Sequence, residues 1–325
     1  MKADIAGVRI RRSRPEDFEA LVALRNIGLH PVRQWTVEHR RQWEATTRDP
    51  NTLLEIGEDS EGRLVALGEL DAGGSFRQSD GTLFTNVRVA PSHRHRGIGT
   101  LLADRIETVA RERHAPRLLG TVPESEPDAF AWVRRRGWQE RWRQYESYIH
   151  ISDLMRDVLG VVPPRGVEIL DLPTYLARVG RDEGIAQLHS IYQRSVTDTP
   201  GNPEPPFSLE GFRGQLIEGP LAAPDLSLVA LAGARPVGIT INFRRGPARA
   251  HTAFTGTERD WRRRGVARSL KAAAMLKARD AGVRVMLTAN DGTNVPMLRL
   301  NQWLGYAPLP AIVHIERVLT GRAKD

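Results

Sequence analysis

The chain contains no cysteine, which excludes disulfides, thiolate metal sites and a cysteine nucleophile. Lysine is nearly as scarce: of 47 basic residues only Lys2, Lys271, Lys277 and Lys324 are lysine, and arginine is dispersed along the whole length. No run approaches the roughly 18 consecutive apolar residues that a membrane-crossing helix needs. Met1 to Arg14 is polar and lacks the apolar core of a secretory leader. These absences predict a cytoplasmic protein with no membrane partner and no metal. The net charge of +8 raises nucleic acid as a partner, but there is no compact basic arm and no aromatic-interleaved patch of the single-strand-binding kind. Nucleic acid is therefore not expected. What is present is ordinary for a globular protein: 40% hydrophobic and 26% charged residues over 325 positions, room for two domains.

The chain is written twice. Residues 94–99 read Arg-His-Arg-Gly-Ile-Gly and residues 262–267 read Arg-Arg-Arg-Gly-Val-Ala. Each follows a strand-like stretch, Leu83 to Val89 and His251 to Thr257, and each opens a run with apolar residues at helical spacing. Downstream, Arg136-Gly137-Trp138 matches Leu304-Gly305-Tyr306, a helix end closed by glycine before an aromatic strand start. Both glycine pairs, 97 with 265 and 137 with 305, are 168 residues apart. Two landmarks kept in step indicate a duplicated unit. Upstream the match loosens: Val8 to Ile10 and Val167 to Ile169 open each copy, and hairpins follow at 53–70 and 226–242. Each copy reads as a mixed α/β unit of about 150 residues. The expected division is a domain over 1–152, a linker over 153–166 around Pro163 and Pro164, and a second domain over 167–325.

A strand–turn–helix junction is an anion site, because the first amides of a helix have no internal partners and the dipole adds positive charge there. Gly97 and Gly99 allow close backbone approach, and Arg94 and Arg96, or Arg262 and Arg264, add charge at the rim. A dinucleotide fold would place such a motif in the first strand–helix turn with an acidic residue about twenty positions later. Here the motif lies mid-domain and occurs twice, and no Gly-Lys-Ser/Thr of a P-loop is present.

The pattern Val89-Ala-Pro91-Ser-His-Arg94-His-Arg-Gly97-Ile-Gly99 resembles the acetyl-CoA loop of the GCN5-related N-acetyltransferase (GNAT) superfamily. The second copy fits with Ala267 in the last position and Arg259 where Pro91 stands, and the run Thr288 to Met297 resembles the family's second motif, whose asparagine faces the cofactor. The arrangement in two copies is similar to tandem members such as mycothiol synthase. The resemblance implies two tandem GNAT domains with acetyl-CoA as co-substrate. The pantetheine arm would lie against the backbone of Val87 and Val89, or of Thr255 and Thr257. The pyrophosphate would rest on the amides of His95, Arg96, Gly97, Ile98, Gly99 and Thr100, or of Arg263, Arg264, Gly265, Val266, Ala267 and Arg268. Asn294 would face the cofactor.

Direct attack of a neutral amine on the thioester needs a base and, for the thiolate, an acid. The tyrosine that many members place four residues before the Gly-aromatic pair is replaced by Val133 and Asn301. Candidate bases are Glu69, His251 and Glu258, each with a plain structural alternative as a strand-face, strand-end or turn residue. Trp35, Trp43, Trp132, Trp138 and Trp303 are expected mainly in packing, as are Tyr145 and Tyr148, with the wall of an acceptor pocket as the alternative for Trp35 and Trp43. Because the second copy keeps the fuller asparagine motif while the first has Glu126 at the matching place, the second half is the expected catalytic one. A proline-rich segment, Thr199 to Pro206, is a candidate acceptor lid, with Asp198 and Glu204 to attract a cation. The expected acceptor is a small-molecule amine, with a protein or peptide acceptor or a silent acyl-CoA-binding regulator as alternatives. Monomer and homodimer are both compatible with the sequence.

Overall fold

The computed structural model describes residues 3–47, 49–72, 80–154, 156–199 and 206–319. Two compact units emerge, Met1–Trp142 with Ile312–Asp325, and Arg143–Ala311.

In the first unit β1 (Ala3–Ile5), β2 (Val8–Arg12), β3 (Leu53–Glu58), β4 (Leu64–Asp71), β5 (Leu83–Val89) and β6 (Arg117–Pro123) form a sheet in that order. Helices α1 (Phe18–Asn26) and α2 (Val37–Thr47) precede β3, α3 (Ile98–Glu112) joins β5 to β6, and α4 (Pro127–Arg135) follows β6. The crossover through α3 makes β5 and β6 parallel, whereas β4 and β5 are antiparallel. Alternation along β4 sends Ala66 and Leu70 toward α3 and Leu67 toward α1. On α3, Ile98, Leu102, Ala103, Ile106 and Ala110 are buried, the stripe expected of a helix lying on a sheet.

The second unit holds β7 from Arg143 onward (the strand is Gln139–His150), α5 (Arg156–Leu159), β8 (Val167–Asp171), α6 (Leu172–Val179), α7 (Arg181–Thr197) and α8 (Leu209–Phe212). It continues with β9 (Leu228–Ala232), β10 (Arg235–Arg244), β11 (Arg249–Thr257), α9 (Val266–Asp280), β12 (Val285–Asp291), α10 (Val295–Trp303) and β13 (Ala307–Pro308). Its sheet order is β7-β12-β11-β10-β9-β8, with β13 also on β7. A cluster of Tyr175, Leu188, Tyr192, Phe212, Val229 and Ile239 fills one side, and Val266, Leu270 and Ala274 of α9 pack with Leu228, Ala230 and Val237 on the other.

The last strand, β14 (Ile312–Val318), belongs to the first unit and pairs antiparallel with β6 from Ile312↔Pro123 to Val318↔Arg117. Its counterpart 168 residues earlier, 144–150, pairs in the second unit with β12 from Gln144↔Asp291 to His150↔Val285. The two registers are the same under the repeat offset, so the halves have exchanged equivalent strands. This departs from the division at 152 and 167 expected from sequence. The segment 153–166 also departs from a plain linker: Val158 is fully buried among Ile149, Met275 and Tyr306, with Val161 packed on that cluster.

Candidate functional site

Both repeats build the same junction. At its start Gly97 has φ 81° and Gly265 φ 89°, each capping the following helix in the left-handed region where a side chain is strained. Two residues earlier His95 and Arg263 adopt φ 61° and 59°, an uncommon conformation for side-chain-bearing residues and one that accompanies functional loops. Among the described residues no protein group accepts a hydrogen bond from the amides of His95 to Thr100, or of Arg263 to Arg268. Successive free amides ahead of a helix form an anion cradle.

The first arginine of each motif is occupied elsewhere. Arg94 Nε donates to the Val89 carbonyl at 3.1 Å, and Arg262 Nε to the Thr257 carbonyl at 3.1 Å, so both tie the loop to the end of its strand. Arg94 also pairs with Glu126 at 2.9 Å, and Arg262 with Asp198 at 2.7 Å. Arg96 reaches the Ser92 carbonyl, and Arg264 and Arg268 lie over Trp261 and Trp303.

In the first unit the strands part beside the cradle. β5 stays paired with β4 from Phe84 to Val89, but its pairing with β6 ends at Phe84↔Leu119. The split opens a cavity of about 480 Å³ whose wall includes Thr85, Val87, Val89, Gly97, Gly99, Ala103, Gly120, Trp132 and Trp138. A Cβ built on Gly99 would meet only Val89 Cγ2, at 3.5 Å. Glu126, where the family's asparagine is expected, is also in the wall. Its carboxylate sits against Gly28 and Arg94.

The second unit parts its strands as well, β11 leaving β12 after Thr252↔Thr288. Here, however, larger groups occupy the equivalent positions. Lys271 stands at the place of Ala103 and is 2% exposed, with its Nζ 5.4 Å from the centre of the Tyr306 ring. Arg268, in place of Thr100, stacks on Trp303 at 5.3 Å. Asn301 Nδ2 donates to Asn290 at 2.7 Å, while the buried Asn301 Oδ1 and His251 Nε2 have no hydrogen-bond partner in the described residues. Asn294 caps α10, its Oδ1 accepting from Met297 N. That bond gives it a helix-terminus role.

The three candidate bases divide between the units. Glu69, on β4 opposite Asn86, accepts from Arg25 Nη2 at 2.8 Å through Oε1 alone, and Arg25 also bonds Glu44. Glu258 is gripped by Arg194 of α7 through both oxygens. His251 is held neutral: burial, with Arg245 and Lys271 nearby, pushes its pKa well below the usual histidine value. Asp198 is shared by Arg259 and Arg262, whose hydrogen bonds lower its pKa. Most of the lid segment, residues 200–205 with Glu204, lies outside the described residues. Trp35 and Trp43 pack on one another at 5.9 Å and Trp35 on His39 at 4.7 Å. Trp132 and Trp138 pack on the cluster of Val122, Val133, Val313 and Ile315, as expected, and also form part of the cavity wall.

Residues 17–138 match the model of the acetyltransferase (GNAT) family. The match lies within the first half of the chain. The whole chain has the tandem GNAT fold. It resembles a GCN5-related N-acetyltransferase from Sphaerobacter thermophilus (TM-score 0.74, 18% identity, 97% of each chain covered). It also resembles a tandem GNAT protein from the clavulanic acid biosynthesis pathway (TM-score 0.72, 18% identity, 97% of this chain and 99% of that one). A GCN5-related N-acetyltransferase from Kribbella flavida aligns over 79% of this chain and 88% of its own at TM-score 0.52 and 15% identity. No curated protein sequence matches the chain. Among the described residues no helix is long and apolar enough to cross a membrane, and no cluster of metal-binding side chains occurs.

The junction of the second unit has a measurable consequence. Burial lowers the Lys271 pKa to about 7, from 10.5. Between those values the unfolded chain holds more protons, so this residue makes stability rise with pH over that window. Lys271→Met should therefore raise stability at pH 7 by about 1–4 kcal/mol, with the gain fading toward pH 10.5. Calorimetric melting of both proteins at pH 7 and pH 10 measures it, and a gain independent of pH would refute a buried charge at this site.

Proposed function

We propose that the first unit binds acetyl-CoA and that the chain is an acetyl-CoA-dependent N-acetyltransferase acting on a primary amine, with the second unit closed to the cofactor. The observation that carries this reading is the contrast between two equivalent slots. One is a cavity of about 480 Å³ with Ala103 in its wall, and the other has Lys271 buried at the matching place. This reverses the assignment suggested by the asparagine motif, since Asn294 caps a helix.

The free amides from His95 to Thr100 suit a pyrophosphate, and the edge of β5 beyond Phe84 suits an extended pantetheine arm. Bound there, acetyl-CoA supplies an acetyl thioester. Backbone donors on that edge, near Val87, would polarise a carbonyl placed beside them. Glu69 lies on the opposite face of β4 from α3, and Arg25 fixes it through Oε1, leaving Oε2 to accept a proton from an amine directly or through water. Val133 offers no proton, so the leaving thiolate takes one from solvent.

Calorimetric titration with acetyl-CoA tests the reading. One site per chain is expected. Two sites would mean that the second slot opens, and no binding at millimolar cofactor would remove the proposed activity.

A further inference from the structure

Arg88 is a charge in the cavity wall that neither the cofactor cradle nor the fold accounts for. Its neighbours Val87 and Val89 pack toward α3, so alternation puts Arg88 on the other face of β5, with Asn86 beside Glu69 across the β4 register. It lines the cavity together with Ile27 and Glu126. Nη1 donates to the Ile27 carbonyl at 3.1 Å, and Nε is buried with no hydrogen-bond partner. A guanidinium has five N–H donors, and this is the single hydrogen bond the side chain makes among the described residues.

The surrounding charges are already committed. Glu126 pairs with Arg94, Glu69 with Arg25, and Glu44 with Arg25 and Arg40. No carboxylate lies within 4.0 Å of Arg88 among the described residues. Burial disfavours the cation most; the attraction of Glu126, itself paired with Arg94, offsets this only in part, and Arg94 and Arg25 add repulsion. A cation kept in a cavity wall at such cost is matched by an anion that arrives with a ligand. A single planar guanidinium with adjacent free donors suits a carboxylate, which it can hold by two parallel bonds.

We propose that the acceptor is an amine carrying its own carboxylate, an amino acid or a close analogue, and that Arg88 binds that carboxylate while the amine faces the cofactor strand. This rests on the acetyltransferase reading of the first unit. It narrows the acceptor from any primary amine to anionic ones and makes Arg88 the residue that reads it.

The test is thiol release from acetyl-CoA by the full chain with matched pairs of amines. The pairs are the L-amino acids, β-alanine and γ-aminobutyrate, each against its carboxamide, and phosphoethanolamine against ethanolamine. At least one acid should exceed its amide in kcat/KM by roughly 100-fold, because the amide leaves the buried donors unmatched. Arg88→Gln should remove that preference while acetyl-CoA affinity by calorimetry stays within about twofold, and Arg88→Lys should restore part of it. If Arg88→Gln fails to fold, the ratio of acid to amide in the unaltered protein decides.

The inference is overturned if amides or neutral amines equal the acids, if only the phosphorylated amine is used, or if Arg88→Gln turns over the acid unchanged. It is equally overturned if acetyl-CoA binds and no acid of the panel reacts. Failure of acetyl-CoA to bind would instead refute the proposed function. In that event calorimetric binding of the same acids to the chain decides, binding lost in Arg88→Gln supporting the carboxylate site and no binding overturning it.

Discussion

Gly99→Asp should lower acetyl-CoA affinity at least about 100-fold, whereas the matched Ala267→Asp should leave it unchanged. The two positions are equivalent under the repeat, each in the first turn of its helix. Aspartate there is compatible with the fold, since a carboxylate near a helix N-terminus is favourable and a Cβ at Gly99 meets only one methyl at van der Waals distance. Its effect is on the ligand. A negative charge within the cradle faces a doubly charged pyrophosphate at a few ångströms, where repulsion and lost amide contacts together cost about 3 kcal/mol or more. Calorimetry on both variants, with melting curves to verify folding, gives the answer. A loss confined to Ala267→Asp would transfer the cofactor to the second unit, and equal losses would mean that both slots bind.

A chain ending at Ala311 should lose the folded first unit. The deletion removes β14, which supplies seven paired positions along β6, and with it Val313, Ile315 and Leu319, which are 1%, 5% and 4% exposed. Three buried aliphatic side chains at about 1.5–3 kcal/mol each approach the whole stability of a domain, about 5–15 kcal/mol. The bared edge and uncovered apolar face of β6 add to the loss. Limited proteolysis should then cut within residues 3–142 while 143–311 resists, and a peptide of residues 312–319 added back should restore protection. Uniform resistance in the truncated chain would show that β14 is dispensable.

Much of this organisation was legible in the sequence. The offset of 168 gave the repeat, and the glycines gave the two cradles, because a left-handed cap and close backbone approach restrict the residue type directly. The strand exchange was not legible. Alternation of apolar residues tells a strand which face is buried but not which neighbour it joins. The equivalent strands 144–150 and 312–318 have the same register on β12 and β6, so the pattern fits exchanged and unexchanged pairings alike.

The proposed closure of the second slot did leave a trace. Lys271 falls on the inner stripe of α9 between Leu270 and Ala274, where the first copy has Ala103, a lysine where a small residue belongs. The motif arginines carry a second constraint that the sequence hides: Glu126 and Asp198, distant in sequence, pair with Arg94 and Arg262. Arg88 gave no signal at all, since an arginine on a strand is ordinarily solvated and its burial depends on Ile27 and the α1–α2 connection.

The strand exchange also bears on why two copies persist. If the halves were separate beads, a copy that no longer held cofactor would be free to decay and to be deleted, leaving a shorter gene with the same activity. Here each sheet contains one strand encoded by the other copy. Mutations that remove the second half take the first half's last strand with them, and selection acting on the first site alone is enough to keep both.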